Sequence, residues 1–460
     1  MKARYFLFLA AALQAICFSG PIETLQPGEW YEVPNSHMSA VDPCPTRAAG
    51  TPCAWSAVEG QNGVMDDWCG GAFDTKRNNL IVWGGGHSGY AGNEVYTFSL
   101  DSLKWSRVSS PSDPPAKDVA YAPDGGPCSR HTYDYIQYVP ATDRFCSFGG
   151  AGFYQSGQTG TSNTDAFNFS NSTWSNLGVA VPQGGGNSIG SFSAMDPATG
   201  HAWYHSTTVN SVLAEYDPLQ NKWTNHGASH LEDSVGWITY SFTAAIDPVR
   251  KKMFAVGGGS VFAWNISAAG SFTGQSVATT GGSAVVSAAN PGLEYDGVSG
   301  KLVAWASGQN VYTLDPATMA WTQVTGGGAN PGSPNSRGTY GRFRYCPSKN
   351  VFVVVNSVSA DVFIFRLTAG TNVEEARRLA FKAPVLQVSP NPFRGDLTIK
   401  GISSRYRIFD LQGKLVADVA PASSKGTQAV WHAGSLPGGI YFVKTTENGR
   451  VFNRRVTLLK

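Results

Sequence analysis

Charge is scarce in this chain of 460 residues: Asp, Glu, Lys and Arg make up only 14%, and 34 basic residues nearly balance 32 acidic ones. No run of basic residues breaks that balance, so neither nucleic acid nor an anionic membrane is an expected partner. Long apolar runs are missing too, apart from Tyr5 to Phe18, which is too short to span a bilayer. No phosphate-binding loop is present, because Gly84-Gly85-Gly86 ends an apolar strand-like run and does not open a helix. No close His-x-His or His-x-x-x-His pair stands beside carboxylates. His201 and His205 are four apart, but on a strand that spacing is two pleats rather than one helical turn. No metal site and no cofactor are therefore expected.

What is abundant is Gly (53 residues), with 13 Trp, 18 Tyr and 24 Phe. Much glycine and aromatic content with little charge describes an all-β protein rich in tight turns. Residues 1–19 read as a secretory signal: Lys2 and Arg4 form the basic start, Tyr5 to Phe18 the apolar stretch, and Ser19 precedes the cleavage point at Gly20. A lipid attachment at Cys17 is disfavoured by Ile16, which stands where a small residue is needed. Six cysteines remain beyond the signal (Cys44, Cys53, Cys69, Cys128, Cys146, Cys346), which an oxidising export route permits to form one to three disulfides. Cys44 and Cys53 bracket a proline-containing loop that such a bond would staple.

The chain repeats itself. Each unit has a turn with Asp or Pro, an apolar strand often ending in Gly-Gly, a strand with Tyr or Phe, and a trailing Trp. The first reads Phe73-Asp74, Leu80-Ile81-Val82-Trp83-Gly84-Gly85, Val95-Tyr96-Thr97-Phe98 and Trp105. Later units carry Phe145 to Gly150 with Trp174, Asp196-Pro197 with Trp223, Asp247-Pro248 with Met253 to Gly258, and Leu302 to Trp305 with Trp321. A sixth, Val351 to Val355 with Val362 to Phe365, lacks the Trp. The units recur roughly every 50 residues after a longer first step, which is the period of propeller blades. Trp30-Tyr31-Glu32-Val33 near the start is placed to supply the missing last strand and close the ring, so that no sheet edge stays open. Trp105, Trp174, Trp223 and Trp321 are expected to pack between sheets.

These units resemble the Kelch family, which implies a β-propeller of six or seven blades over residues 20–368 of the chain. Thr368 to Lys382 is polar and charged, and residues 369–383 read as a linker. Residues 384–460 contain Ser389-Pro390-Asn391-Pro392-Phe393, Tyr406-Arg407-Ile408-Phe409-Asp410, Gly439-Ile440-Tyr441-Phe442-Val443 and a terminal Val456-Thr457-Leu458-Leu459-Lys460. That order resembles the C-terminal sorting domain of the type IX secretion system. The resemblance implies a small β-sandwich, an encounter with the secretion machinery through residues 384–460, and release or attachment at the surface of a Gram-negative cell.

Function must be argued from a site and not from the scaffold. In a propeller, the loops between strands 2 and 3 and the loops entering strand 1 open on one face. His87 follows Gly84-Gly85-Gly86 in a 2–3 loop, and Arg130, His131 and Tyr133 enter the second blade. His205 takes the Gly-Gly position of the third, His226 and His230 lead to the fourth, and Arg337, Tyr340 and Arg342 enter the last. Cations to neutralise a carboxylate, with His or Tyr to abstract the neighbouring proton, suit β-elimination from a uronate polysaccharide. The segments are similar in kind to the His/Tyr/Arg sets of propeller lyases acting on uronate polymers. On that reading His87 and His131 are base and acid, Tyr133 or Tyr340 an alternative proton carrier, and Arg130, His205, Arg337 and Arg342 hold substrate.

The non-enzymatic alternative is a glycan-binding or adhesive propeller whose mouth exposes Tyr90, Tyr154, Trp237 and Tyr240. Arg130 and Arg337 are alternatively structural, paired with carboxylates such as Asp134. The repeated Ser-x-Asp-x-Gly-x-Thr-Trp turns of sialidases are absent, and no Tyr/Cys/His set of a copper-radical oxidase is legible. The expected partner in either case is extracellular polysaccharide, met by a monomer.

Overall fold

Four buried aspartates show how the repeat becomes a blade. Asp74, Asp247 and Asp296 each end an inner strand and Asp196 directly follows one, and their carboxylates accept the backbone N–H groups of the next turn: Lys76 and Arg77, Val249 and Arg250, Val298, and Ala198. The side chain thus does the work of a turn hydrogen bond and fixes the tight first hairpin. In this computed structural model the described residues are 20–44, 55, 59–113, 115–155, 160–183, 189–207, 211–229, 241–268, 270, 272, 274–369, 386–400, 405–420, 428–447 and 450–460. The expected signal at 1–19 and all but residue 369 of the expected linker at 369–383 lie outside them.

The chain divides into two units, Met1–Ala380 and Phe381–Lys460. The first is a propeller with six sheets among the described residues, antiparallel except where Gly327–Gly328 runs parallel beside Glu29–Val33. Blade 1 comprises Gly71–Asp74, Asn79–Val82, Tyr96–Ser99 and Lys104–Arg107; blade 2 Ile136–Val139, Arg144–Ala151, Gly160–Asn168 and Thr173–Ala180. Blade 3 is Phe192–Met195, Ala202–His205, Val212–Asp217 and Lys222–Ala228; blade 4 Thr243–Asp247, Lys252–Gly257, Ser260–Asn265 and the short Gln275–Ser276. Blade 5 is Gly292–Asp296, Lys301–Trp305, Val311–Asp315 and Ala320–Val324. Blade 6 takes Phe343–Cys346, Val351–Val354 and Val362–Arg366 from one end of the domain and Glu29–Val33 from the other. The six innermost strands neighbour one another in a closed ring.

The closing strand pairs antiparallel with blade 6, from Glu29 opposite Arg366 to Val33 opposite Val362. Trp30 anchors it: the buried indole packs on Phe365 (4.8 Å between centroids) and Trp305 (6.4 Å), and its N–H donates to the Gln309 carbonyl at 2.9 Å. Trp30→Ala should cost about 3–5 kcal/mol of unfolding free energy, as expected of a buried Trp truncation. An unchanged denaturant midpoint would mean that closure does not hold the ring.

The Trp residues of the repeat pack between sheets as expected, Trp105 and Trp321 buried and Trp174 and Trp223 partly so against the blade 2 core. Cysteine usage is leaner than the count suggested. Cys69, Cys128, Cys146 and Cys346 are buried free thiols, Cys44 is disulfide-bonded, and Cys53 lies outside the described residues.

The second unit has two sheets, one of Gln387–Ser389, Asp396–Lys400 and Gln428–His432, the other of Leu415–Val419, Tyr406–Phe409, Gly439–Glu447 and Arg450–Leu458. Leu397, Ile399 and Trp431 from the first meet Tyr406, Ile408, Tyr441, Val443 and Val456 from the second in one core. Alternation along Asp396–Lys400 and Tyr406–Phe409 puts every second side chain inside, as a half-buried sandwich strand requires. No helix among the described residues is long and apolar enough to cross a membrane.

Candidate functional site

On the face where the 2–3 loops and the strand-1 entry loops emerge, four connections of the propeller meet: 59–70 into blade 1, 83–95 within blade 1, 128–135 into blade 2 and 335–342 into blade 6. Backbone hydrogen bonds tie them together. Tyr133 N–H donates to the Trp68 carbonyl at 2.7 Å, His87 N–H to the Gly152 carbonyl at 3.1 Å, and His131 N–H to the Ala151 carbonyl at 3.0 Å. The Gly84-Gly85-Gly86 run makes the approach possible. A Cβ on Gly84 would sit 2.3 Å from the Cys69 sulfur, and one on Gly86 2.2 Å from the Gly152 carbonyl oxygen.

Rings from these loops then gather. His87 and His131 have centroids 4.3 Å apart; Trp68 meets His131 edge-on at 5.1 Å; Tyr133 lies 5.8 Å from His131 and 6.0 Å from Tyr340. The Arg337 guanidinium carbon lies 3.8 Å from the Trp68 ring centroid. Trp68, His87, Tyr133 and Tyr340 all have left-handed backbones, with φ of 53°, 42°, 41° and 48°. Bulky residues avoid that region, and such conformations persist only where the surroundings impose them.

The electrostatics are as unusual as the backbone. His131 is 2% exposed; its Nδ1 hydrogen-bonds the Asp67 carbonyl, so Nδ1 carries the hydrogen and Nε2 the lone pair. Nε2 has no hydrogen-bond partner among the described residues, although the Gly85 backbone is near enough to favour the protonated form weakly. Burial, and then the neighbouring His87, hold the His131 ring down to about 3, so it is neutral at any physiological pH. Asp67 is pushed the other way, up to about 8, by burial, then by Glu59 and Asp66, against the pull of Arg337. Asp67 Oδ2 and Glu59 Oε2 are both buried, and neither has a donor among the described residues.

A pH dependence of stability follows. Between the ordinary Asp value of 3.8 and about 8, folded Asp67 keeps a proton that the unfolded chain has released, so stability falls as pH rises through that window. Asp67→Asn should therefore lose less stability than the parent between pH 5 and pH 8, read from denaturant midpoints. Parallel curves for the two proteins would rule the assignment out.

Directly inward of this cluster the propeller axis is plugged. Arg344 on the inner strand of blade 6 bonds Glu294 of blade 5 at 2.6 Å, Asp134 ahead of blade 2 at 3.4 Å and the Gly71 carbonyl of blade 1 at 2.8 Å. Asp134 also accepts from Ala244 N–H of blade 4 at 2.9 Å, and its carbonyl from Ser193 N–H of blade 3 at 2.8 Å. One network thus touches all six blades. Burial works against the Arg344 charge, but Glu294 and Asp134 outweigh it; burial pushes Asp134 up to about 7 against the pull of Arg344. A proton on Asp134 offsets the surplus carboxylate.

Several sequence expectations need correction. Arg130 is fully buried, donating to the Cys128, Gly149 and Ala120 carbonyls and pairing with Asp165 at 3.4 Å; it cannot meet a substrate, and its partner is not Asp134. Arg342 is equally buried, on the Cys69, Val355 and Gly338 carbonyls. His205 sits in the blade 3 core, stacked on Phe192 at 4.9 Å and hydrogen-bonded to Ser229. Tyr340 is 1% exposed and burial holds its phenol well above the ordinary value, which removes it as a proton carrier. Its ring, like that of Tyr133, walls the cluster from behind. Tyr90 and Tyr154 are buried, not exposed; Trp237, Tyr240 and His230 lie outside the described residues. His226 is not at the mouth but on the blade 3 sheet, stacked between Trp203 and Phe272 and bonded to Glu215 at 3.1 Å.

Of the eight nominated residues, His87, His131, Tyr133, Tyr340 and Arg337 come together, and among these His87 is partly exposed and Arg337 exposed. Trp68, Asp67 and Glu59 were not anticipated. The signal was available: Asp66-Asp67-Trp68-Cys69-Gly70 enters blade 1 as Arg130 to Tyr133 enters blade 2. Among the described residues, no three His, Cys, Asp or Glu side chains are arranged to hold a metal ion.

Residues 387–458 match the family described as the secretion system C-terminal sorting domain. No curated protein matches the chain. Among solved structures, it is similar to a fungal alcohol oxidase of the AA5 family in complex with copper, at 13% identity over 85% of each chain and a TM-score of 0.34. It is also similar to PorZ, a bacterial surface component of the type IX secretion system of Porphyromonas gingivalis, at 14% identity and a TM-score of 0.35. That alignment covers 85% of this chain and 51% of PorZ, so the chain spans about half the length of that relative. The sorting domain marks a protein carried out by type IX secretion, to the cell surface or beyond it.

Proposed function

We propose that the mouth at 59–70, 83–95, 128–135 and 335–342 binds extracellular uronate polysaccharide and cleaves it by β-elimination. The observation that carries this reading is the cluster of four aromatic side chains held on left-handed backbones around one buried, neutral imidazole. Strain and displaced ionisation concentrate where groups must be held for chemistry. A surface that only adheres has no need of either.

Arg337 faces the uronate carboxylate and lowers the cost of the negative charge that gathers there as the adjacent C–H bond breaks. His87, the imidazole that reaches the solvent, takes that proton. The electron pair forms the ring double bond, the C–O bond to the neighbouring sugar breaks, and the departing oxygen recovers a proton from the His87 imidazolium. His131 stays neutral and takes no second proton, so the transfer falls to His87. Tyr133 and His131 position His87 from behind.

The second reading, a glycan-binding propeller without chemistry, draws on a different observation: only His87, Trp68 and Arg337 of the cluster reach the surface. The two part on one experiment. Incubation of the purified chain with a panel of uronate polysaccharides should raise the ultraviolet absorbance of conjugated, unsaturated uronate. Retention on those polymers with no such product would establish the binding reading in its place.

A further inference from the structure

We infer that Trp68 is a positioning residue for Arg337, and that the pair makes the mouth selective for uronate whose carboxylate is free over uronate that is esterified. The inference rests on the acidic-polysaccharide reading above and names which form of that polymer the site takes.

Every other arginine near the mouth is committed. Arg130, Arg342 and Arg344 are buried and bonded to carbonyls and carboxylates. Arg337 alone among them is exposed, and its side chain makes no ion pair among the described residues; it lies instead against Trp68. That indole is itself fixed: its backbone is left-handed, its carbonyl takes the Tyr133 N–H, and its ring edge packs on His131. A guanidinium held over an indole ring leaves N–H groups for another acceptor, and a planar two-oxygen carboxylate fits that fork better than any neutral ester. Asp67, whose carboxyl feels Arg337, does not compensate it at neutral pH, because burial keeps its proton on up to about 8.

The test compares the full chain with Trp68→Leu and Trp68→Phe on polygalacturonate and on its methyl ester, measuring retention of the protein on each polymer and the steady-state rate on each. The parent should prefer the acid form. Trp68→Leu should weaken binding to it about tenfold, the size of one partly desolvated cation–π contact. On the acid polymer KM should rise and kcat should fall, because Arg337 also stabilises the charge that develops there, while methyl-ester binding should not change; Trp68→Phe, which keeps an aromatic face, should recover most of both losses. Equal weakening on both polymers, or a parent that does not distinguish them, overturns the inference. Absence of product with the acid preference and its Trp68 dependence intact removes the elimination reading and leaves this one standing.

Discussion

His87→Asn and His87→Ala should each lower the elimination rate by about a hundred- to ten-thousandfold, the usual contribution of a positioned general base, with little change in retention on the same polymer. Two variants are needed because His87 sits at φ 42°. Alanine is strained in that region, whereas asparagine tolerates it, so a loss shared by both belongs to the imidazole and not to a displaced loop. His131→Gln serves as the contrast. Its ring is 2% exposed and bonded to the Asp67 carbonyl, so its loss should lower the rate through misplacement of His87 and should also lower stability. If His87→Asn retains full rate while the parent makes product, the base lies elsewhere and the roles assigned around this mouth fail together.

Arg344→Met should destabilise the propeller as much as Trp30→Ala. It strands Asp134 and Glu294 in the middle of the ring without a cation and leaves the Gly71 and Gly341 carbonyls without their donor. Breaking a buried ion pair from one side costs about 3–5 kcal/mol, most of it from the charges left behind. The sign with pH follows from the same groups. Without Arg344 the two carboxyls rise further above their unfolded values, so the folded state holds protons that the unfolded chain releases. The loss should thus be smaller near pH 5 than near pH 8. Adding Asp134→Asn and Glu294→Gln should recover part of it, and a triple variant no more stable than Arg344→Met would show that the plug is held by packing.

Much of the architecture was legible because it is local. An Asp that caps its own turn, an apolar strand of alternating period and a Trp at blade spacing are contacts within a few tens of residues, and period alone reveals them. The Trp30 strand was legible for a related reason: a repeat lacking its last piece announces where the piece must go. The mouth was half legible. Knowing which loops share a face nominated His87, His131, Tyr133, Arg337 and Tyr340, and these do meet. The same rule also nominated Arg130, Arg342 and His205, because a loop's face does not say which way its side chain turns.

Composition and repeat, read by themselves, determined an all-β chain closed into a ring of blades, since that depends on spacing and hydrophobic period, while the sorting tail was read from its resemblance to a known family. Only the tertiary structure decided which polar groups are available to a ligand. Arg130 and Arg337 are the same residue type in equivalent entry loops, yet one is surrounded by carbonyls that satisfy it and the other lies on a half-buried indole. Burial and partner supply come from chain segments as far as 344 residues away, as Ile22 is for Arg366, and no local pattern carries them.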